Sequence, residues 1–126
     1  MYHSDDNYRD FYGTISGSRR LLAADTGLIT LVPAVPKHTI FIQKIHAQVS
    51  TLTASEVWGF QDSAGTPVPI APVSAAAVEN FTYDFGPMGI PCTEGTAFVL
   101  NITGAVGAAG WIAWEGYKKL TLGAAA

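Results

Sequence analysis

The sequence is short of cysteine, of charge and of basic stretches, and each shortage removes a class of function. Cys92 is the only cysteine, which excludes an intrachain disulfide and a thiolate metal cluster. Charged residues make up 13% of the chain, against roughly 25% in a typical soluble domain. The net charge is −3, and the tightest cationic groups are the pairs Arg19-Arg20 and Lys118-Lys119. A duplex-binding surface needs several phosphate contacts, so no direct nucleic-acid partner is expected. The first twenty residues are polar and acidic, so no secretory signal is expected there. A sustained 3.6-residue apolar period is also missing.

One uncharged stretch, Gly95 to Trp114, reaches the length of a membrane span. Its middle is polar and then glycine-rich, from Asn101 to Gly110, so two strands joined by a loop are expected instead of a spanning helix. No membrane partner is expected.

What the chain does contain is 48% hydrophobic residues in 126 positions. That is room for one domain with much surface per unit volume, so apolar patches should remain for another protein to cover. An oligomer or assembly component is expected. Short β-branched and aromatic runs alternate with thirteen glycines and seven prolines, the punctuation of an all-β sandwich or barrel. Expected strands run from Leu28 to Val32, His38 to Thr51, Glu56 to Gln61, Glu79 to Phe85, Thr96 to Thr103 and Gly110 to Lys118. Val68 to Val73 carries too many prolines for anything but an edge strand or an extended loop.

Two strands are informative. In the 38–51 strand, Ile40 and Ile42 lie in one phase, and Ile45, Ala47 and Val49 in the other. Keeping both sets in the core requires a bulge near Gln43-Lys44. In the last strand, Ile112 and Trp114 share one face, and Trp111, Ala113, Glu115 and Tyr117 the other. Glu115 resists full burial, which points that second face outward and makes Trp111 and Tyr117 interface residues. The competing arrangement covers both faces within the monomer.

Residues 1–20 read as an N-terminal arm, 21–122 as the β-sandwich domain and 123–126 as a C-terminal tail. The arm holds Tyr2, Tyr8, Phe11 and Tyr12 among Asp5, Asp6, Arg9 and Asp10. It is either a frayed terminus or a segment that orders when its aromatics dock on a neighbour.

Motifs that could carry chemistry fail on spacing. Asp25-Thr26-Gly27 matches the way a dimeric aspartic protease presents its shared carboxylates. The next residue is Leu28 where a small one is needed, and no bracing glycine turn follows, so an ordinary turn is expected. His38 and His46 lie about 26 Å apart at ~3.3 Å per residue of strand, so no metal site is expected within one chain. Cys92 has no histidine nearby in sequence, and the glycines at 104–110 lack the Lys and Ser/Thr of a phosphate loop. No catalytic residue, cofactor or metal is expected. The sequons at Asn80 and Asn101 lie within strands and are read as coincidental.

The series Leu21-Leu22-Ala23-Ala24, Ile40-Phe41-Ile42-Gln43-Lys44-Ile45, Phe85-Gly86-Pro87-Met88-Gly89-Ile90-Pro91, Thr93-Glu94-Gly95-Thr96-Ala97-Phe98-Val99-Leu100 and Gly110-Trp111-Ile112-Ala113-Trp114 resembles small virion structural proteins of tailed bacteriophages. The likeness spans about residues 21–118 and lies in the cadence of strands and loops. It implies an all-β, jelly-roll-like antiparallel sandwich on the capsid surface. The implied role is a decoration (cement) protein, a homo-oligomer, expected as a trimer, bound to the major capsid protein. A tail-, baseplate- or fibre-associated sandwich, with or without glycan binding, is the other reading.

Overall fold

The computed structural model describes residues 12–52, 55–65, 73–75, 78–104 and 106–120. The described chain is all strand and turn, in two antiparallel sheets. Sheet A is ordered β1 (Tyr12–Leu21), β9 (Ala108–Leu120), β3 (His38–Leu52) and β6 (Asn80–Asp84), with the short β7 (Ile90–Pro91) also on β3. Sheet B is ordered β2 (Gly27–Val32), β8 (Phe98–Gly104), β4 (Glu56–Asp62) and β5 (Val73–Ala75). Apart from the β4–β5 pair, the eight principal strands alternate between sheets along the chain. Spatial neighbours are distant in sequence, which is the double Greek key of a jelly roll. The expected antiparallel sandwich is therefore present. Among the described residues no helix is long and apolar enough to cross a membrane.

The core lies between the sheets. Ile40, Ile42, Ile45, Ala47, Val49, Ile112 and Trp114 from sheet A meet Trp58, Phe60, Phe98, Leu100 and Ile102 from sheet B. The two phases of β3 are reconciled as the sequence requires, because its register on β9 shifts between Ile42 and Lys44. Gln43 is the extra residue, so Ile42 and Ile45 both face inward. A second shift falls between Val49 and Thr51. At each bulge β9 supplies a glycine: Gly116 pairs with Ile42 and Gly110 with Val49. A Cβ at either position would overlap a β3 carbonyl oxygen, of Phe41 or Gln48 respectively. The bulges bring the two backbones too close for a side chain.

The start of the chain departs from the expected domain boundary. Residues 12–20, assigned to the arm by sequence, belong to β1, which pairs along its length with β9 from Tyr12↔Lys119 to Leu21↔Gly110. The apolar alternation that marks a strand is missing here for a steric reason. Inward positions are Gly13, Ile15 and Gly17. Gly17 leaves room for the Trp114 indole, and Gly13 lies beneath the aliphatic stem of Lys118. Long neighbours on β9 fill the space that β1 side chains would otherwise occupy. Tyr2, Tyr8 and Phe11 lie outside the described residues, as do 121–126 and most of the expected 68–73 segment. The part of that segment that is described, Val73, opens β5 at the edge of sheet B.

Candidate functional site: the two ends of the sandwich

Strand β9 runs from one end of the sandwich to the other and carries an outward aromatic near each. The faces divide as the alternation predicts: Ile112 and Trp114 are buried, Trp111 and Glu115 exposed, Ala113 and Tyr117 half-buried. The two outward aromatics nevertheless differ in their surroundings.

Tyr117 is built into the fold. Its ring stacks on Phe41 with centroids 4.8 Å apart and planes 9° from parallel, and its hydroxyl donates to Met88 O at 2.9 Å. The loop it holds is fixed from several sides. Gln43 Nε2, on the bulge, donates to Pro87 O at 2.7 Å, Phe85 N donates to Gln43 O at 2.8 Å, and Asp84 Oδ1 accepts from Gly86 N at 2.9 Å. Gly86 and Gly89 both take positive φ, and Gly89 backs so closely onto the Ile42 carbonyl that no side chain fits.

The neighbouring loops at this end are also closed by hydrogen bonds. Asp62, buried at the end of β4, accepts from Thr93 N at 2.9 Å, Thr93 Oγ1 at 2.7 Å and Ala64 N at 3.0 Å. Ser63 and Ala97 exchange two bonds of 2.9 Å. Cys92 is buried beside Asp62; burial first, and the Asp62 charge second, push its thiol up to about 12. At neutral pH it is a protonated, shielded thiol, the opposite of an activated nucleophile.

The Trp111 end is finished differently. Trp111 is 47% exposed and stands in an outward row with Arg20 of β1 and with Gln48 and Asn80 beyond β9. Leu22 follows the last pair of β1, Val78 precedes β6 by two residues, Val106 precedes β9 by two, and Leu28 is the second residue of β2. All four are exposed. Register thus collects five of the six large exposed hydrophobic residues among the described residues at this one end; the sixth, Met88, sits on the loop held by Tyr117. Scattered surface apolar residues need no explanation, but a gathered set does.

Asp25 lies in the turn at the same end. Its carboxylate accepts from Leu22 N at 2.8 Å, and its own amide donates to Leu22 O at 3.0 Å. Gly27 follows with φ 76°. This is the local turn expected of Asp-Thr-Gly. His38 Nδ1 lies 2.9 Å from Pro36 O, and His46 Nδ1 lies 2.7 Å from Thr82 Oγ1. Among the described residues no three His, Cys, Asp or Glu side chains converge as metal ligands.

Sequence reasoning missed the apolar end and both buried carboxylates. Glu56 and Asp62 share the inward face of β4 with Trp58 and Phe60, and the period of two through 56, 58, 60 and 62 contained that signal. Glu56 Oε1 accepts from Trp58 Nε1 at 2.7 Å, while its Oε2 has no hydrogen-bond partner among the described residues.

Comparison with known proteins adds little. No family model matches the chain, and no curated protein sequence matches it. Among solved structures, the chain is similar to one in the virus-like particle of the extra small virus of the giant freshwater prawn Macrobrachium rosenbergii. The likeness covers 85% of this chain and 79% of that one, at 13% identity and a TM-score of 0.40. The fold assignment rests on this chain's own strand order and register.

Proposed function

We propose that the chain is a structural protein of a virion, and within that class a capsid decoration (cement) protein of a tailed phage, without a catalytic role. The jelly roll hosts viral shell domains among other functions, so the fold permits this reading without selecting it. The observation that carries it is the apolar Trp111 end on a domain with few charges. Leu22, Leu28, Val78, Val106 and Trp111 are large apolar side chains left in water, and a protein partner that covered them would gain about 25 cal/mol per Å² of apolar area. The proposed partner is the major capsid protein on the outer capsid surface, with three copies of this chain acting together. Repetition multiplies a modest single contact, because linked copies bind as one multivalent unit.

The test is the position of the chain in particles that contain it. Electron cryo-microscopy should find density for it on the head lattice, with the Trp111 end toward the shell. Density on tails or fibres would overturn the decoration assignment.

The second reading, a tail- or fibre-associated sandwich that binds glycans, draws on the row Arg20, Trp111, Gln48 and Asn80, where an exposed indole is flanked by hydrogen-bonding side chains. A glycan array without hits would remove it.

A further inference from the structure

Among the described residues the two sheets have edges at β1, at β6 with β7, at β2 and at β5. An edge strand presents a row of backbone amides and carbonyls with which another strand can pair, and folds blunt such edges by shortness, bulges, proline or charge. Three of these edges carry such a device. β5 is three residues long. β6 has five residues and ends on Asp84, and the two-residue β7 that joins it on β3 contains Pro91. β2 shifts register between Thr30 and Val32 and is followed by Pro33. β1 is the exception. Its ten residues pair with β9 without a shift, it contains no proline, and no charged side chain falls between Tyr12 and Ser18. Arg19 and Arg20 guard only its last part. We propose that the stretch from Tyr12 to Ser18 pairs antiparallel with the same stretch of a second copy, about a two-fold axis at Ile15.

Three observations select that occupant. First, Gly13-Thr14-Ile15-Ser16-Gly17 reads nearly the same in both directions, and a two-fold contact requires a surface complementary to itself. In this register Ile15 opposes its own counterpart, Thr14 opposes Ser16, and Gly13 opposes Gly17. The space above those glycines is already filled from β9, by the Lys118 stem at Gly13 and the Trp114 indole at Gly17, so the contact brings one against the other. Second, the charges separate. Antiparallel pairing about Ile15 holds the Arg19-Arg20 pairs of the two copies about 26 Å or more apart at ~3.3 Å per residue, well beyond the ~8 Å screening length. A parallel pair would set them side by side. Third, an apolar groove of about 370 Å³ adjoins the same edge, with Ile15, Leu31, Val32, Pro33 and Val35 in its wall. A two-fold axis perpendicular to sheet A places both copies' B sheets on the same side. The two grooves then face each other, and their apolar walls leave water together.

This contact goes beyond the decoration reading and can fail apart from it. It joins copies two at a time, so among groups of three it links a copy of one group to a copy of the next. Sedimentation velocity of full-length wild type, Ile15→Asp and Trp111→Glu tests it, with circular dichroism confirming the sheet in each. Wild type and Trp111→Glu should self-associate alike. Ile15→Asp sets two like charges at the axis and should weaken the association by roughly tenfold or more. Spin labels give a second reading from exposed positions, since Cys92 is buried. Labels on Ser16→Cys should lie about 8 Å apart and broaden each other's spectra, and those on Arg20→Cys should lie about 33 Å apart. A monomeric wild type would overturn the proposal. So would an Ile15→Asp chain that associates as well as wild type, or Ser16 labels without broadening.

Discussion

The two ends of this sandwich are built from the same two sheets and finished by opposite means. At the Tyr117 end the loops are tied to one another: Tyr117 to Met88, Gln43 to Pro87, Asp62 to Thr93 and Ala64, Ser63 to Ala97. At the Trp111 end Leu22, Val78 and Val106, beside the strand ends, and Leu28 and Trp111, within β2 and β9, stand exposed to solvent. An end that is satisfied within the monomer gains little from a partner. An end that leaves large apolar side chains in water gains by being covered. The difference separates the part of the molecule that holds its shape from the part offered to another surface.

The largest effect is expected at Asp62. Asp62→Ala should cost about 2–3 kcal/mol in urea unfolding, since it removes the three hydrogen bonds that the buried carboxylate accepts from Ala64 N, Thr93 N and Thr93 Oγ1. A cost below about 1 kcal/mol would mean that the tied end is not held as described. The paired substitution on β9 comes next. Tyr117→Ala should cost about 1–2 kcal/mol, from the Phe41 stack and the Met88 bond together. Trp111→Ala should change stability by no more than about 0.5 kcal/mol. Equal costs would erase the distinction between the ends.

These pairs also mark what could be read in the sequence. The strand phases, the β3 bulge and the outward face of β9 were legible, because alternation is a local property of the chain. The difference in surroundings between Trp111 and Tyr117 was not legible. Whether an outward aromatic is covered depends on Phe41 of the neighbouring strand and on Met88 of a distant loop. Likewise β1 was hidden in the supposed arm, because its inward glycines acquire meaning only under Trp114 and Lys118. The apolar end is the clearest case. Its five residues span positions 22 to 111 and come together only through the jelly-roll crossovers.

Cys92 gives a pH test of the tied end. Its folded pKa of about 12 lies above the ordinary value of 9.0, so the folded state keeps a proton that the unfolded chain releases. That contribution is fully present below pH 9.0 and is lost as pH rises from there toward about 12. Wild type should therefore lose stability over that window faster than Cys92→Ala, and its native thiol should resist a disulfide reagent at pH 8. Parallel pH profiles would contradict the shielding. The smallest effect is expected at the other carboxylate. Glu56→Gln retains an acceptor for Trp58 and removes a charge whose Oε2 has no described partner, so it should cost less than about 1 kcal/mol. A loss as large as that of Asp62→Ala would show that Glu56 is held as firmly as Asp62.

Binding of a shell by the Trp111 end can be read by cosedimentation. Purified chain is mixed with phage heads that lack it and pelleted beside full-length Trp111→Glu, with both proteins confirmed folded. Wild type should pellet saturably, and the substituted chain should stay in the supernatant. A wild type that never pellets, or a Trp111→Glu chain that pellets equally well, would contradict it.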